Sequence, residues 1–479
     1  MMILRRVGVL ARCVIGLALL FNANVSFSQT PAEKKRLRSF EKRVDVLRSR
    51  LKIPALSVVV LENQKVLWIR GFGFADAENR IPATPDTVYS IASLTKTFGA
   101  TLIMQLVEQG KLDLDEPVSH YSSDFKDESV KIKHLLSHTS AGVPGERFQY
   151  DGKKFHYLTA VIEKKFGKPF LNVVVETFFD PLGMPSSVPY HNVVVDSGKW
   201  VGSLGKDRLD RFKASLERFA QPYAYYGAGE TVHDSYPSRD YVGAAAGLLS
   251  TVRDLAKYDI ALDRHVFLKK ETQEKAWRPF VSNAGERLPY GLGWFVTDYH
   301  GHKLVWHYGQ WGTGFSAVYL KVPERSVSIV LLSNSEALVD HGGYEEIAKN
   351  TFVCSFLGLW NYAYDCAPQS EAALKKWIED RRAKGRVEVR VDPRILDSYV
   401  GEYQFETLDN RLYTFMREGG KLFFTETESS KRTELFAESE STFFLKDRPY
   451  VFVFTTAEGQ APQLKIVEGP NTYLSKRIK

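Results

Sequence analysis

Five serines in this chain are followed three residues later by lysine: Ser39/Lys42, Ser49/Lys52, Ser93/Lys96, Ser123/Lys126 and Ser203/Lys206. A serine hydroxyl is a poor nucleophile until a base removes its proton. A lysine one helical turn further on projects from the same face and can be that base. Spacing alone does not choose among the five, but context does. Ser93-Leu94-Thr95-Lys96 precedes Phe98, Leu102, Ile103, Leu106 and Val107 at helical period, and Gly110 closes the run. Ser93 is therefore expected at the start of an amphipathic helix, where orphan N–H groups and the helix dipole favour a developing oxyanion. The other four pairs fall in charged or loop-like stretches and read as solvated surface pairs.

The elements that must position this pair follow from hydrophobic patterning. Residues 31–52 carry an apolar stripe (Leu37, Phe40, Val44, Leu47, Leu51) before Pro54 and predict a surface helix. Strands are predicted at 55–61 and 66–74, then a mostly helical stretch to about residue 290. Strands return at 303–307, 314–322 and 327–332, and a helix at 345–359 closes the unit. Strands at both ends with helices between them predict an α+β fold: one antiparallel sheet flanked by helices, with a helical insertion and a cleft where the two meet. Residues 366–390 read as a charged linker, helical and then extended. From 391 to 479 the pattern changes to short strands at 399–404, 412–417, 421–425, 434–436, 442–445, 451–455 and 464–468, separated by turn residues, which predicts a small all-β barrel or sandwich.

The first residues read as an export signal. Arg5, Arg6 and Arg12 precede the apolar stretch Cys13–Phe21, and Ser26-Phe27-Ser28 supplies small residues for cleavage before Gln29. An uncleaved N-terminal anchor is the alternative. Removing residues 1–28 takes three arginines and no acid, leaving +4 of the formal +7. With its charges interspersed, the mature chain gives no sign of a nucleic-acid partner, and no later segment is long and apolar enough to cross a bilayer. An exported protein permits a disulfide. A Cys354–Cys366 bridge and two separate buried thiols are both compatible with the sequence.

Three further segments supply partners for Ser93. Ile132–Gly142 reads as a short helix ending in a turn, followed by Tyr150-Asp151-Gly152 on a loop, where a phenol can relay protons if a nearby cation lowers its pKa. Ala244–Leu255 reads as a tight turn, then a helix capped by Ser250 or Thr251. Trp306–Gln310 ends a strand and Gly312–Ser316 begins the next; a glycine there lets backbone N–H groups approach a substrate carbonyl. His134 and His138 stand four apart, but Leu135 follows His134 where a zinc protease would have glutamate, so no metal site is expected. No cofactor is implied.

Taken in order, Ser93-Leu94-Thr95-Lys96, the Leu-Leu-Ser-His-Thr-Ser run at 135–140, Tyr150, the Ala-Gly-Leu-Leu-Ser-Thr turn at 246–251, Tyr290-Gly291-Leu292-Gly293-Trp294 and His307-Tyr308-Gly309 resemble the serine β-lactamase and penicillin-binding-protein family. The likeness is to its branch of class C β-lactamases, DD-carboxypeptidases, D-aminopeptidases and β-lactamase-like esterases, and it spans about residues 40–360. It implies that Ser93 is acylated. Lys96 supplies the charge that lets Ser93 and Tyr150 lose protons, and Tyr150 passes a proton to the leaving group. The backbone N–H groups of Ser93 and Gln310 form the oxyanion hole. His307 takes the place of the usual lysine, and Tyr308, Gly309 and Gly152 contact substrate. The tail from 391 is similar to the lipocalin-like domain that follows many such hydrolases. A signal peptide at 1–28, a hydrolase domain at 31–365, a linker at 366–390 and a β domain at 391–479 are the expected organisation.

Two departures from the family pattern bear on function. Tyr150-Asp151-Gly152 lacks the asparagine that, in such lactamases, holds the substrate's amide. His307-Tyr308-Gly309 lacks the lysine of the third motif and with it a permanent positive charge, although a protonated His307 can bind a carboxylate. The expectation is an exported serine hydrolase acting on an ester, amide or short peptide. A weak β-lactamase or DD-carboxypeptidase is the first alternative. A catalytically silent binder of cell-wall peptides is the alternative of another class.

Overall fold

The computed structural model describes residues 30–478 apart from 227–229, 234–241, 313, 341–345, 361–365, 384–387, 406–410, 427–431, 446–449, 456–462 and 469–470. The expected signal segment lies outside the described residues, as do Thr313 and the side chains of Tyr225 and Tyr226. The chain divides into two compact units, Met1–Tyr223 with Tyr236–Ile378, and Ala224–Ser235 with Glu379–Lys479.

In the first unit, helix α1 (Pro31–Arg50) opens on a capping box: Thr30 accepts from the Glu33 N–H while the Glu33 carboxylate accepts from that of Thr30. Strands β1 (Ala55–Glu62), β2 (Lys65–Asp76) and β3 (Ile81–Pro82) follow, then helices α2 (Thr95–Glu108) and α3 (Val252–Asp263). Strands β4 (Phe295–Tyr299), β5 (His302–Trp311), β6 (Phe315–Val322) and β7 (Val327–Ser333) and helix α4 (Thr351–Leu357) complete the unit. The seven strands form one antiparallel sheet in the order β3-β2-β1-β7-β6-β5-β4. The expected sheet, built from both ends of the unit with helices inserted between, is thus present.

Both faces of this sheet are covered, which is why β1, β6 and β7 read as near-continuous apolar runs rather than alternating ones. Trp68, Val60 and Ile329 align across β2, β1 and β7 and face α1, where Phe40 packs edge-on against Trp68 with ring centroids 5.3 Å apart. One residue along, the opposite face meets α3. There the buried Asp259 accepts from Tyr319 (2.6 Å), Ser328 (2.8 Å) and the Lys321 ammonium. Three donors, one of them a cation, offset the cost of burying that carboxylate.

Strand β4 is not among the strands expected above, although His300-Gly301-His302 reads as a hairpin tip. His300 and Gly301 take positive φ values of 51° and 78° and turn the chain tightly from β4 into β5, the primed hairpin geometry that matches strand twist. Strand β5 also runs further than expected, to Trp311, so His307 sits in mid-strand rather than at a strand end. Cys354 and Cys366 are joined by a disulfide, with Cα atoms 5.8 Å apart. Helix Cys366–Ala383 occupies most of the stretch expected to be a linker.

Among the described residues, the 379–479 part of the second unit contains nine strands: β8 (Gly401–Phe405), β9 (Arg411–Glu418), β10 (Lys421–Glu426), β11 (Thr433–Ala437), β12 (Thr442–Phe444), β13 (Tyr450–Thr455), β14 (Gln463–Glu468), β15 (Asn471–Leu474) and β16 (Lys476–Arg477). They form one antiparallel sheet in which β16 returns to pair with β8, so that it nearly closes into a barrel. Its interior is packed with Tyr403, Phe405, Phe415, Phe424, Phe452 and Phe454. Tyr399, expected to open the first strand, instead ends a helix at 393–399, and its ring stacks on Phe454 at 4.1 Å.

Candidate functional site

Ser93 lies in a single tight helical turn, Ala92–Leu94, that runs directly into α2. Ala92 holds φ at +46°, a conformation that L residues other than Asn and Asp seldom adopt. Such strain persists only where the surroundings over-determine it. Here they do: Ile91 N–H donates to the Leu248 carbonyl (3.0 Å), and Gly309 of β5 lies against Ile91 so closely that a Cβ on it would fall 2.2 Å from the Ile91 oxygen. Only glycine permits that approach, which brings β5 and Gln310 beside the Ser93 turn.

Helix α2 is not amphipathic in its setting. It is buried on nearly all sides, polar residues included. Thr97 and Thr101 satisfy their hydroxyls by donating to the Leu94 and Thr97 carbonyls, both at 2.8 Å. Two glycine contacts let other chain segments crowd the helix. A Cβ on Gly99 would fall 2.9 Å from that of Ala244, and one on Gly293 would fall 2.1 Å from that of Ala100.

This crowding sets the chemistry of Lys96, which is 1% exposed. Its Nζ donates to Ser93 Oγ at 2.9 Å and to the Ala245 carbonyl at 3.0 Å. It also lies 5.1 Å from the Tyr150 ring centroid and 5.5 Å from that of Phe155. Burial pushes its pKa down from the ordinary 10.5 to about 7, against the nearby Asp151 carboxylate, which favours the charged form. An amine so placed can take a proton from the hydroxyl beside it at neutral pH.

The Tyr150 hydroxyl is buried and has no hydrogen-bond partner of normal geometry. Burial raises its pKa, and the neighbouring Ser93 hydroxyl pulls weakly the other way. The phenol is therefore held protonated, as a donor rather than a base. Asp151 caps the short helix Gly152–His156 by accepting from Lys154 N–H at 2.9 Å. A Cβ on Gly152 would come 3.6 Å from Lys96 Nζ, so the missing asparagine side chain leaves room directly at the amine.

His307 is fully buried. Its Nδ1 lies 2.5 Å from the Tyr308 carbonyl and its Nε2 lies 2.8 Å from the Tyr290 hydroxyl. A carbonyl only accepts, so Nδ1 carries the proton and Tyr290 donates to Nε2. Burial, reinforced by the Lys96 charge, pushes its pKa down to about 3. This corrects the expectation of a protonated His307 that binds a carboxylate: the ring is neutral and both nitrogens are engaged. Tyr308 is 8% exposed and its ring lies 5.7 Å from that of Tyr150.

The structure thus gathers Ser93, Lys96, Tyr150, Gly152, His307, Tyr308, Gly309 and Gln310 around one end of α2. Sequence reasoning missed the Ala245 carbonyl and the Tyr290–His307 bond, because nothing local marks a backbone acceptor or a partner 17 residues away. Of the two alternatives for the cap of α3, the structure takes Thr251, which accepts from Asp254 N–H at 3.1 Å. His134 Nδ1 accepts from Lys131 N–H at 3.0 Å. Among the described residues, no group of three or more His, Cys, Asp and Glu side chains is placed to hold a metal ion.

A buried Ser-x-x-Lys pair at the start of a central helix, beside an antiparallel sheet, defines a serine-hydrolase fold of the β-lactamase type. The sequence matches the Beta-lactamase family over residues 40–349, and the chain belongs to that family. It is similar to penicillin-binding protein 4* of Bacillus subtilis (strain 168), 25% identical over 467 residues that cover 88% of this chain and 95% of that protein. Its fold is similar to that of the octameric penicillin-binding protein homologue from Pyrococcus abyssi (TM-score 0.55, 23% identity, 92% of this chain and 100% of that one). It is also similar to the D-amino acid amidase from Ochrobactrum anthropi SV3 (TM-score 0.51, 22% identity, 72% of this chain and 99% of that one).

Proposed function

We propose that the protein is an exported serine hydrolase that forms an acyl-enzyme on Ser93 with an ester, amide or short-peptide substrate. One observation carries this reading: Lys96 Nζ stands 2.9 Å from Ser93 Oγ with its pKa lowered to about 7. Lys96 takes the Ser93 proton as the hydroxyl attacks the carbonyl, and a tetrahedral intermediate forms. The backbone N–H groups of Ser93 and Gln310 hold its oxyanion. Tyr150 donates a proton to the leaving group as the intermediate collapses and recovers one from the water that cleaves the acyl-enzyme, while Lys96 returns its proton to the departing Ser93 oxygen. With Tyr150 held protonated, Lys96 is the base of acylation.

A neutral His307 offers no cation to a substrate carboxylate, and Gly152 offers no amide. Both favour uncharged esters and amides over β-lactams as substrates. Export rests on the signal-like residues 1–28, and the domain limits remain those expected from composition, 31–365 for the hydrolase and 391–479 for the β unit. The test is a panel on the mature protein: nitrocefin, short-chain p-nitrophenyl esters and D-amino-acid amides, with intact-protein mass spectrometry of the acyl adduct. Ester turnover with an adduct that disappears in Ser93→Ala is expected. No adduct with any acylating probe would refute the reading and favour a silent binder.

A further inference from the structure

The Leu-Leu-Ser-His-Thr-Ser run marks the family likeness, yet the chemistry above gives it no task. Its His138 is 1% exposed and takes a φ of +54°. It meets the Tyr150 loop on both sides of the tyrosine. Gln149 N–H donates to the His138 carbonyl at 2.8 Å, and Asp151 N–H donates to His138 Nδ1 at 3.0 Å. Between those two bonds, the imidazole packs on the Tyr150 ring with centroids 4.3 Å apart and a 35° tilt.

The other end of this grip is fixed to the helix that carries Lys96. His138 N–H donates to Leu135 O (3.2 Å) at the end of the Ile132–Leu136 helix, whose Leu136 carbonyl accepts from Gly293 N–H at 2.9 Å. Gly293 in turn lies directly against Ala100 of α2. A continuous set of hydrogen bonds and close contacts therefore runs from α2 through His138 to the residues flanking Tyr150.

We infer that His138 is the positioning residue for Tyr150, holding its phenol in register with Ser93 and Lys96 by gripping the backbone at 149 and 151. This rests on the role proposed above for Tyr150. The choice of imidazole supports it. Nδ1 accepts from a backbone N–H, so in the neutral ring Nε2 carries the proton, and Nε2 is buried without a partner. A side chain present only to fill space would avoid that unpaired donor. What histidine adds over phenylalanine here is the acceptor at Nδ1.

Two substitutions separate the grip from simple packing. His138→Leu fills similar space without an acceptor. His138→Asn supplies an oxygen close to the Nδ1 position and tolerates positive φ. The first readout is amide exchange across residues 145–152, which does not depend on activity. Protection at 149–151 is expected to fall in His138→Leu and return in His138→Asn. The second is ester hydrolysis. A misplaced proton donor should cost roughly 10- to 100-fold in kcat with KM within about 3-fold, largely restored in His138→Asn. In a Tyr150→Phe background His138→Leu should cost less than about 2-fold more, because a residue acting through Tyr150 has nothing left to position. Unchanged exchange in His138→Leu, equal kinetic losses in the two variants, or the same loss in both backgrounds would overturn the inference. If wild-type protein turned over no ester, the proposed function would fail on that result, and the exchange comparison would still decide the grip.

Discussion

Replacing Asp151 with asparagine is expected to move the acid limb of the pH–rate profile to lower pH. At the ordinary lysine pKa of 10.5, about 0.03% of amines are neutral at pH 7; at a pKa of about 7, half are. Burial thus multiplies the base form of Lys96 about 1,600-fold, and the fall from 10.5 to about 7 corresponds to about 5 kcal/mol against the charged amine. Wild-type kcat/KM should accordingly rise with pH and level off above about 7. The Asp151 carboxylate opposes burial by favouring the ammonium, so removing its charge lowers the Lys96 pKa further. Asparagine caps a helix as well as aspartate does, and the backbone bond from residue 151 to His138 is unaffected. The fold and the plateau rate should therefore hold while the limb moves. The assay is steady-state hydrolysis of a p-nitrophenyl ester, read at a pH-independent wavelength from about pH 5 to about pH 9. A wild-type limb near the ordinary lysine value would refute the reasoning. So would a limb in Asp151→Asn that stays in place or moves to higher pH.

Other consequences concern stability and fit. The unfolded chain keeps Lys96 protonated up to about 10.5 and the folded chain only up to about 7, so the unfolded state binds more protons across that window and wild-type stability rises with pH through it. Lys96→Met removes this dependence: its stability relative to wild type should be greatest below pH 7 and fall by about 2–3 kcal/mol between about pH 6 and about pH 9. Chemical denaturation at both pH values measures this, and a pH-independent difference would contradict it. Gly309→Ala would set a Cβ 2.2 Å from the Ile91 backbone oxygen, so β5 or the Ser93 turn must shift. A loss of about 1–3 kcal/mol in stability and of at least about 10-fold in acylation rate is expected, checked by denaturation and by the rate of adduct formation. Gly152→Asn has room, with its Cβ at 3.6 Å from Lys96 Nζ, and an amide oxygen there favours the ammonium. Its acid limb should move to higher pH, and a limb at or below that of wild type would count against this account of the amine.

Much of the frame was legible because it is local. The strands expected at 55–61 and 327–332 announced themselves as β-branched runs, and the apolar stripe Leu37, Phe40, Val44, Leu47 and Leu51 marked α1. Strand β4 was missed because Phe295–Tyr299 is short and follows a glycine-rich stretch, so its pairing with β5 defines it more than its composition does. Helix α2 read as amphipathic because its threonines and lysine look like a solvent face. In the fold they are buried: Lys96, Thr97 and Thr101 donate to carbonyls, and Thr95 accepts from the Leu248 N–H.

For the site, the order of residue types in the sequence was enough to single out Ser93 from five equivalent spacings and to bring Tyr150 and His307 into consideration. What those groups can do was decided by the tertiary structure. The Lys96 pKa is lowered because Ala245, 149 residues away, and the rings of Tyr150 and Phe155 replace water around the amine. His307 is held neutral by Tyr290 and by burial, and His138 finds its task only when the Tyr150 loop closes over it. The physical reason is common to all three. Periodicity and motif order are written into neighbouring residues, whereas a pKa depends on desolvation and on partners that the fold brings in from distant parts of the chain.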